Sequence, residues 1–244
     1  MANPILNNMQ NNDNAYAIEG EPMTINGSIN KTFLLLAFTF LSACYTWGLA
    51  MSGFSDKAQM LTTGGAIIGF ILAMVIIFSR KALNIFTPMY AIAEGFFIGG
   101  VSAVYAANYA GIVTQAVLAT FAVLAVMLIL FQSGTIKCDD KFRSVILTAT
   151  LSVAAIYLIQ IIASLFGRGI PQIFTSSPIG IGFSVVVVLI AALNLIIDFD
   201  FIEKGAENML PKKYEWYGAF GLMVSLIWLY IEILRLIAKT QNRN

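Results

Sequence analysis

Residues 179–198 read IGIGFSVVVVLIAALNLIID, a stretch with no charge until Asp198 closes it. At about 1.5 Å of rise per residue, a helix of this length reaches about 30 Å, the thickness of a bilayer's hydrocarbon core. The apolar residues are continuous rather than alternating, which argues against a barrel strand and for a spanning helix. Further runs of the same kind fall near Phe33–Met51, Leu61–Ser79, Pro88–Ala107, Ile112–Gln132, Ser144–Phe166 and Trp216–Ala238. The expected fold is therefore an all-α membrane protein, a bundle of seven transmembrane helices in contact with the lipid bilayer.

Composition points the same way. Of 244 residues, 59% are hydrophobic and 11% charged, against about 25% charged in an ordinary soluble domain. A formal net charge of +1 offers no basic field to draw phosphates, so no nucleic acid is expected as a partner. Histidine is absent, which excludes His-ligated zinc, His-based triads and imidazole proton relays. The last span has no lysine before Lys239 at its edge, so a retinal Schiff base lacks its amine. Neither a Gly-x-Gly-Asp protease motif nor a nucleotide-binding motif is present. We expect no enzyme, no cofactor and no metal site. Cys44, in an apolar run, and Cys138, in a charged loop, read as reduced thiols.

Residues 1–32 are polar and Asn-rich, without the basic-then-apolar pattern of a cleaved signal peptide. They are expected to form a cytoplasmic tail, residues 33–238 the transmembrane domain and residues 239–244 a short C-terminal tail. Orientation follows from the basic residues, because cytoplasmic loops hold the excess of them. Lys31, Arg80, Lys81, Lys137, Lys141, Arg143, Lys204, Lys212 and Lys213 share the N-terminal side, whereas Lys57, Arg168, Lys239 and Arg243 take the other. The expectation is a multi-pass protein of the cell's inner (plasma) membrane with a cytoplasmic N-terminus. Small residues four apart, Gly65 with Gly69, Gly95 with Gly99 and Ala103 with Ala107, would let helices approach closely within one chain or across a homodimer.

A charge at mid-bilayer costs about 2.5–3.5 kcal/mol on insertion scales, so an ionisable residue in a span is a functional candidate by default. Glu94 lies about two turns into the third span, on one helical face with Tyr90, as a candidate proton-linked switch. At the end of the sixth span Asn194 and Asp198 share a face, while Asp200, Glu203 and Glu207 share another and are expected to ring the mouth in water. The segment does not make an EF-hand, because position six from Asp198 is Glu203 rather than Gly and position twelve is Met209 rather than Glu. Carboxylates lining a path for calcium or other cations stay open, since hard cations prefer oxygen ligands. In the last span Gly218, Gly221, Ser225 and Glu232 share a face, which suits a helix near the bundle centre, and Glu232 and Arg235 are spaced to pair. Arg80 closes the second span at the level of Asp198. It reads either as a guanidinium latch on that carboxylate or as a topology signal with Lys81.

The chain resembles the Bax inhibitor-1 family, also called the transmembrane Bax inhibitor motif family, and most of all its bacterial branch. The resemblance rests on Met23-Thr24-Ile25-Asn26-Gly27 leading into Lys31-Thr32, and on Tyr90-Ala91-Ile92-Ala93-Glu94-Gly95 with Gly99-Gly100. Asp198-Phe199-Asp200-Phe201-Ile202-Glu203 and Trp228-Leu229-Tyr230-Ile231-Glu232-Ile233-Leu234-Arg235-Leu236 complete it. It implies a seven-helix bundle with the last helix near the centre, acting as a pH-sensitive calcium leak. In that family an Asp ending the sixth helix pairs with an Asp of the seventh, and an Arg of the second helix latches the closed form. Asp198 matches the first Asp and Arg80 matches the latch by helix and side. Kept in register, the second Asp falls on Ser225, which cannot titrate, so either the sensor is absent or another acid such as Glu94 has taken that role. Some bacterial relatives resemble non-conducting regulators instead. On that reading the partner is a membrane protease or stress-response protein, met through the tail and through Asp200, Glu203 and Glu207.

Overall fold

The structure, a computed structural model, describes residues 21–80, 82–167 and 171–242. In chain order the helices are α1 (Ile25–Met51), α2 (Ser55–Ser79), α3 (Leu83–Asn108), α4 (Ile112–Gln132), α5 (Asp140–Leu165), the short α6 (Pro171–Phe174), α7 (Pro178–Glu207) and α8 (Tyr214–Gln241). Seven of them, all but α6, are long and apolar enough to cross a membrane. The protein is an all-α, multi-pass membrane protein.

Most of the helices outrun the apolar runs that mark them. Thr24 caps α1, its Oγ1 accepting from the Gly27 N–H at 2.9 Å, so the helix begins at Ile25 rather than Phe33. Residues 25–32 are thus the first turns of α1, not tail. Asp139 caps α5 by accepting from the Phe142 N–H at 2.7 Å. At the other end of the chain α7 continues past Asp198 to Glu207. Asp198, Asp200 and Glu203 therefore all lie within this helix. Residues 1–20 of the tail, Lys81, Arg168 and Arg243 lie outside the described residues.

By contacts the chain divides into two compact units, Met1–Val104 with Asp200–Met223, and Tyr105–Phe199 with Val224–Asn244. In the first unit, α1 buries Ser28, Thr32, Leu35, Thr39, Ser42 and Thr46, a stripe at alternating separations of four and three. Each of its hydroxyls donates to a carbonyl one turn back, for example Thr32 to Ser28 at 2.9 Å and Thr39 to Leu35 at 3.0 Å. Small side chains with their own donors satisfied let another backbone lie directly on this face. The glycines of α3 use that room: a Cβ at Gly95 would collide with Thr39 and Ser42, and one at Gly99 with Ala43. Gly65 of α2 is covered in the same way by the Ala93 carbonyl and, at 3.0 Å, the Phe97 nitrogen. Gly65, Gly95 and Gly99 thus serve packing within the chain, whereas Ala107 is exposed. Large apolar side chains such as Phe33, Phe40, Phe70 and Phe78 point outward, where lipid would meet them.

In the second unit the buried positions concentrate on α7 and α8. Val187, Ala191, Leu195 and Ile196 of α7 and Leu229 and Leu234 of α8 are all inaccessible. Over its apolar stretch α8 is the most enclosed of the seven long helices and α5 the least. Such burial is what a helix near the centre of a bundle requires.

Candidate functional site

Asp198 lies about 8 Å past the midpoint of α7, counting about 1.5 Å per residue. Its hydrogen-bonding side-chain neighbour is Ser225 of α8. The other carboxyl oxygen, Oδ2, is buried and has no partner among the described residues. One turn earlier, Asn194 donates from Nδ2 to Thr150 Oγ1 at 2.9 Å and to the Ile190 carbonyl at 2.8 Å. A polar seam therefore runs along one face of α7, with Asn194 satisfied and Asp198 only half so. Phe199, next in the chain, turns to the Phe131 ring at 5.7 Å.

The first unit holds the other candidates. Because α3 starts at Leu83, Glu94 sits close to the helix midpoint, deeper than a span from Pro88 would place it. Tyr90, one turn before it, hydrogen-bonds its carboxyl, and a Cβ at Gly69 of α2 would stand 2.9 Å from Glu94 Oε2. Tyr90 also meets Phe220 edge-on at 5.0 Å between ring centroids. Phe220 leads to Tyr217 at 6.3 Å, and the Arg80 guanidinium lies over the Tyr217 ring at 5.7 Å. An aromatic column thus connects Glu94 with Arg80, the residue that ends α2 in a left-handed conformation, φ 48°. Cation–π contact with an aromatic face is the interaction this placement gives the guanidinium.

Asp200 departs from expectation. It is 4% exposed and pairs with Lys204 one turn on, at 2.6 Å, where a carboxylate in water at a mouth had been expected. The helix carries on for two further turns and turns this side chain inward, while Glu203 and Glu207 remain exposed.

Glu232 and Arg235 do pair, at 3.0 Å. The carboxylate is 1% exposed, and it also accepts from the Tyr157 hydroxyl at 2.8 Å. Arg235 Nη1 in turn donates to Tyr157, closing a triangle of acid, base and phenol. Burial of a charge is tolerated when it is paired and hydrogen-bonded, and here every member has two partners. Lys239 is also buried, its Nζ donating to the Ile173 carbonyl at 3.0 Å, the Gly180 carbonyl at 3.0 Å and Ser184 Oγ at 2.9 Å.

Sequence reasoning missed the role of Glu215. Buried in the first turn of α8, it accepts from both the N–H and the Oγ1 of Thr24 at 2.9 Å and from Lys31. Gly27 is needed directly against that carboxylate, where a Cβ would collide. The backbone bonds Met23 N–H to Leu210 O at 2.7 Å and Lys212 N–H to Glu21 O at 3.1 Å pin the same segment. Thr24 and Gly27 belong to the Met-Thr-Ile-Asn-Gly motif and Lys31 to the Lys31-Thr32 pair it leads into, so this docking was signalled by the motif although its partner acid was not. Outside the spans the Lys212 ammonium, hydrogen-bonded to Glu21, holds that carboxyl below its ordinary value and is itself held up.

No curated protein matches the chain. The family described as Bax inhibitor 1 like matches residues 3–242, nearly the whole length, and takes in the Thr24 docking motif, the Tyr90–Glu94 pair, Asp198 and the Glu232–Arg235 pair together. The chain is a member of the Bax inhibitor-1 family.

Proposed function

We propose that the protein is a proton-gated leak for calcium or another cation, seated in the inner (plasma) membrane with its N-terminus in the cytoplasm. The observation that carries this reading is the Asp198 carboxyl, well inside α7, with one oxygen beside Ser225 and the other buried without a partner. Protonated, the group can donate one hydrogen bond and accept others; ionised, it can only accept. Ser225 supplies a single O–H, so the ionised form leaves Oδ2 to be answered by water, by a cation in transit, or by a donor that moves in. Gain or loss of one proton then changes which packing of α7 and α8 is satisfied. Glu94 with Tyr90 is the second titrating element, and Arg80, stacked on Tyr217, is the group free to act as a latch when the aromatic column shifts.

The test is reconstitution of the purified protein in liposomes holding a calcium-sensitive dye, with influx followed across pH. Calcium should enter faster than into empty liposomes, at a rate that depends on pH, and Asp198→Asn should flatten that dependence. The same pH profile in Asp198→Asn would remove Asp198 from the gate. Influx no faster than through empty liposomes would overturn conduction itself, leaving a non-conducting regulator that binds membrane proteases or stress-response partners as the reading to pursue.

A further inference from the structure

A cleft of about 770 Å³ opens in the second unit, and its polar lining includes Tyr105, Tyr109, Gln160, Arg235, Lys239 and Asn242, with Thr175 and Ser176 from the segment before α7. These residues sit toward the C-terminal ends of α3, α5 and α8 or just beyond them. Counted at about 1.5 Å per residue, Tyr105, Gln160 and Arg235 lie about 11–14 Å from the midpoints of their helices. Half of a hydrocarbon core measures about 15 Å, so with the helix midpoints set at the bilayer centre the cleft would lie where acyl chains give way to headgroups.

Its charge is fixed by how the two cations are used. Every hydrogen bond that Arg235 makes to the described residues leaves from Nη1, toward Tyr157 and Glu232. Among the described residues the Nε–H and the Nη2 hydrogens have no acceptor, and the Nε–H with one Nη2–H forms one planar edge of the guanidinium, the geometry that grips two oxygens of one anion. Glu232, which neutralises Arg235, is 1% exposed and does not line the cleft. Lys239 gives its hydrogens to two carbonyls and a hydroxyl. All three acceptors are neutral, so its charge stays uncompensated. Counted over the described residues, Arg235, Lys239 and Glu232 leave the cleft about one net positive charge, with a guanidinium edge and the phenols of Tyr105 and Tyr109 open to it and the rings of Tyr157 and Phe174 as an apolar wall.

The geometry points to a binding site for a net-anionic phosphate group, carried either by a phospholipid headgroup or by a free phosphate. Arg235 takes two phosphate oxygens, and Tyr105 and Tyr109 donate to the others. The apolar wall receives whatever the phosphate is attached to.

Native mass spectrometry of the full chain, released from detergent with defined additions, tests the site. Wild-type protein should retain phosphatidylglycerol about tenfold more strongly than phosphatidylcholine. Arg235→Lys keeps the positive charge beside Glu232 but lacks the fork, and the double variant Tyr105→Phe with Tyr109→Phe lacks the two phenols. Each should lose about tenfold of that retention, the size expected when one charge-assisted bond is removed. Should Arg235→Lys fail to fold, the phenol variant decides. Displacement of the lipid by millimolar inorganic phosphate, with phosphate itself retained, would identify the free anion as the ligand; lipid retention unaffected by phosphate would identify the headgroup. Equal retention of both lipids together with no retention of phosphate, or unchanged retention of either ligand in the folded variants, would overturn the proposal.

Discussion

Ser225 stands as hydrogen-bonding neighbour to Asp198, at the position where the family resemblance places a second aspartate. The register that aligns the end of α8 through Leu234-Arg235-Leu236 leads to the residue that meets the α7 carboxyl. What differs is the chemistry. Two carboxyl groups at hydrogen-bonding distance titrate as a coupled pair, because ionising one raises the cost of ionising the other. A hydroxyl has one hydrogen to give and no charge to change in the range where carboxyls titrate. On the proposed function a pH response at this contact would rest on one acid, while Glu94 has its own place beside Tyr90.

Restoring the second acid should therefore change the shape of the response. We predict that Ser225→Asp spreads the pH dependence of calcium influx into two steps, whereas Ser225→Ala keeps a single step. Influx into dye-loaded liposomes at closely spaced pH values measures this. A single unshifted step in Ser225→Asp would show that the contact does not govern the gate.

How far the sequence could be read follows from what each interaction depends on. Burying a span takes about 20 apolar residues, a property of composition, and all seven long helices were legible from it. Their true ends were not, because Thr24 and Asp139 act through single hydrogen bonds to the backbone of the next turn. The seam of Asn194 and Asp198 followed from helical spacing, as did the Glu232–Arg235 pair. Asp200 was misplaced because its burial depends on α7 running to Glu207, which no apolar run records. Glu215 and Tyr157 escaped notice because each is ordinary on its own helix. Their meaning lies in partners far along the chain, 191 residues away for Glu215 with Thr24 and 75 for Tyr157 with Glu232. The hydroxyl stripe of α1 was equally hidden, since a buried face made of Ser and Thr looks polar until the backbone of α3 is laid upon it.

Adjacent glycines on α2 offer a controlled test of that packing. A Cβ at Gly64 would meet nothing within 4 Å, whereas one at Gly65 would strike the Ala93 carbonyl. We predict that Gly64→Ala leaves the protein as stable as wild type or raises its stability by about 0.5–1 kcal/mol, through the lower backbone entropy of Ala. Gly65→Ala should cost about 1–3 kcal/mol by overpacking. Thermal unfolding in mild detergent, read by circular dichroism, separates the two. Equal midpoints would mean that α2 and α3 can part at no cost.

The two ion pairs near the start of α1 should behave differently. Glu215 is buried and holds Lys31 together with two donors from Thr24. Lys31→Met leaves that carboxylate short of its cation and should cost about 3 kcal/mol, the low end for breaking a buried pair. Glu21 and Lys212 are both exposed, so Lys212→Ala should cause no measurable loss in denaturant titration. The Glu21 carboxyl is held below its ordinary value by Lys212. Any contribution from that pair is therefore present above the unfolded carboxyl value and disappears as pH falls through the folded one. A loss in Lys212→Ala equal to that in Lys31→Met would contradict the burial on which the contrast rests.

Tyr90 does two separable things, and two substitutions divide them. Its hydroxyl bonds Glu94, while its ring stands edge-on to Phe220 at 5.0 Å. Tyr90→Phe removes only the hydrogen bond, a loss of about 1.5–3 kcal/mol if the carboxyl is charged and about 0.5–1.5 kcal/mol if it is not. Tyr90→Leu removes the aromatic pair as well, which adds about 0.5–1.5 kcal/mol beyond the lost area. Stability should thus fall in the order wild type, Tyr90→Phe, Tyr90→Leu. If Glu94 contributes to gating, Tyr90→Phe should also move the midpoint of the influx–pH curve, because the groups that solvate one protonation state of Glu94 have changed. Tyr90→Leu should move it too, and should further weaken any effect of Arg80→Gln, since the column from Tyr90 through Phe220 to Tyr217 is broken. Influx curves for the three single variants and for Tyr90→Leu with Arg80→Gln decide the matter. Strict additivity of the last two would mean that the aromatic column transmits nothing between Glu94 and Arg80.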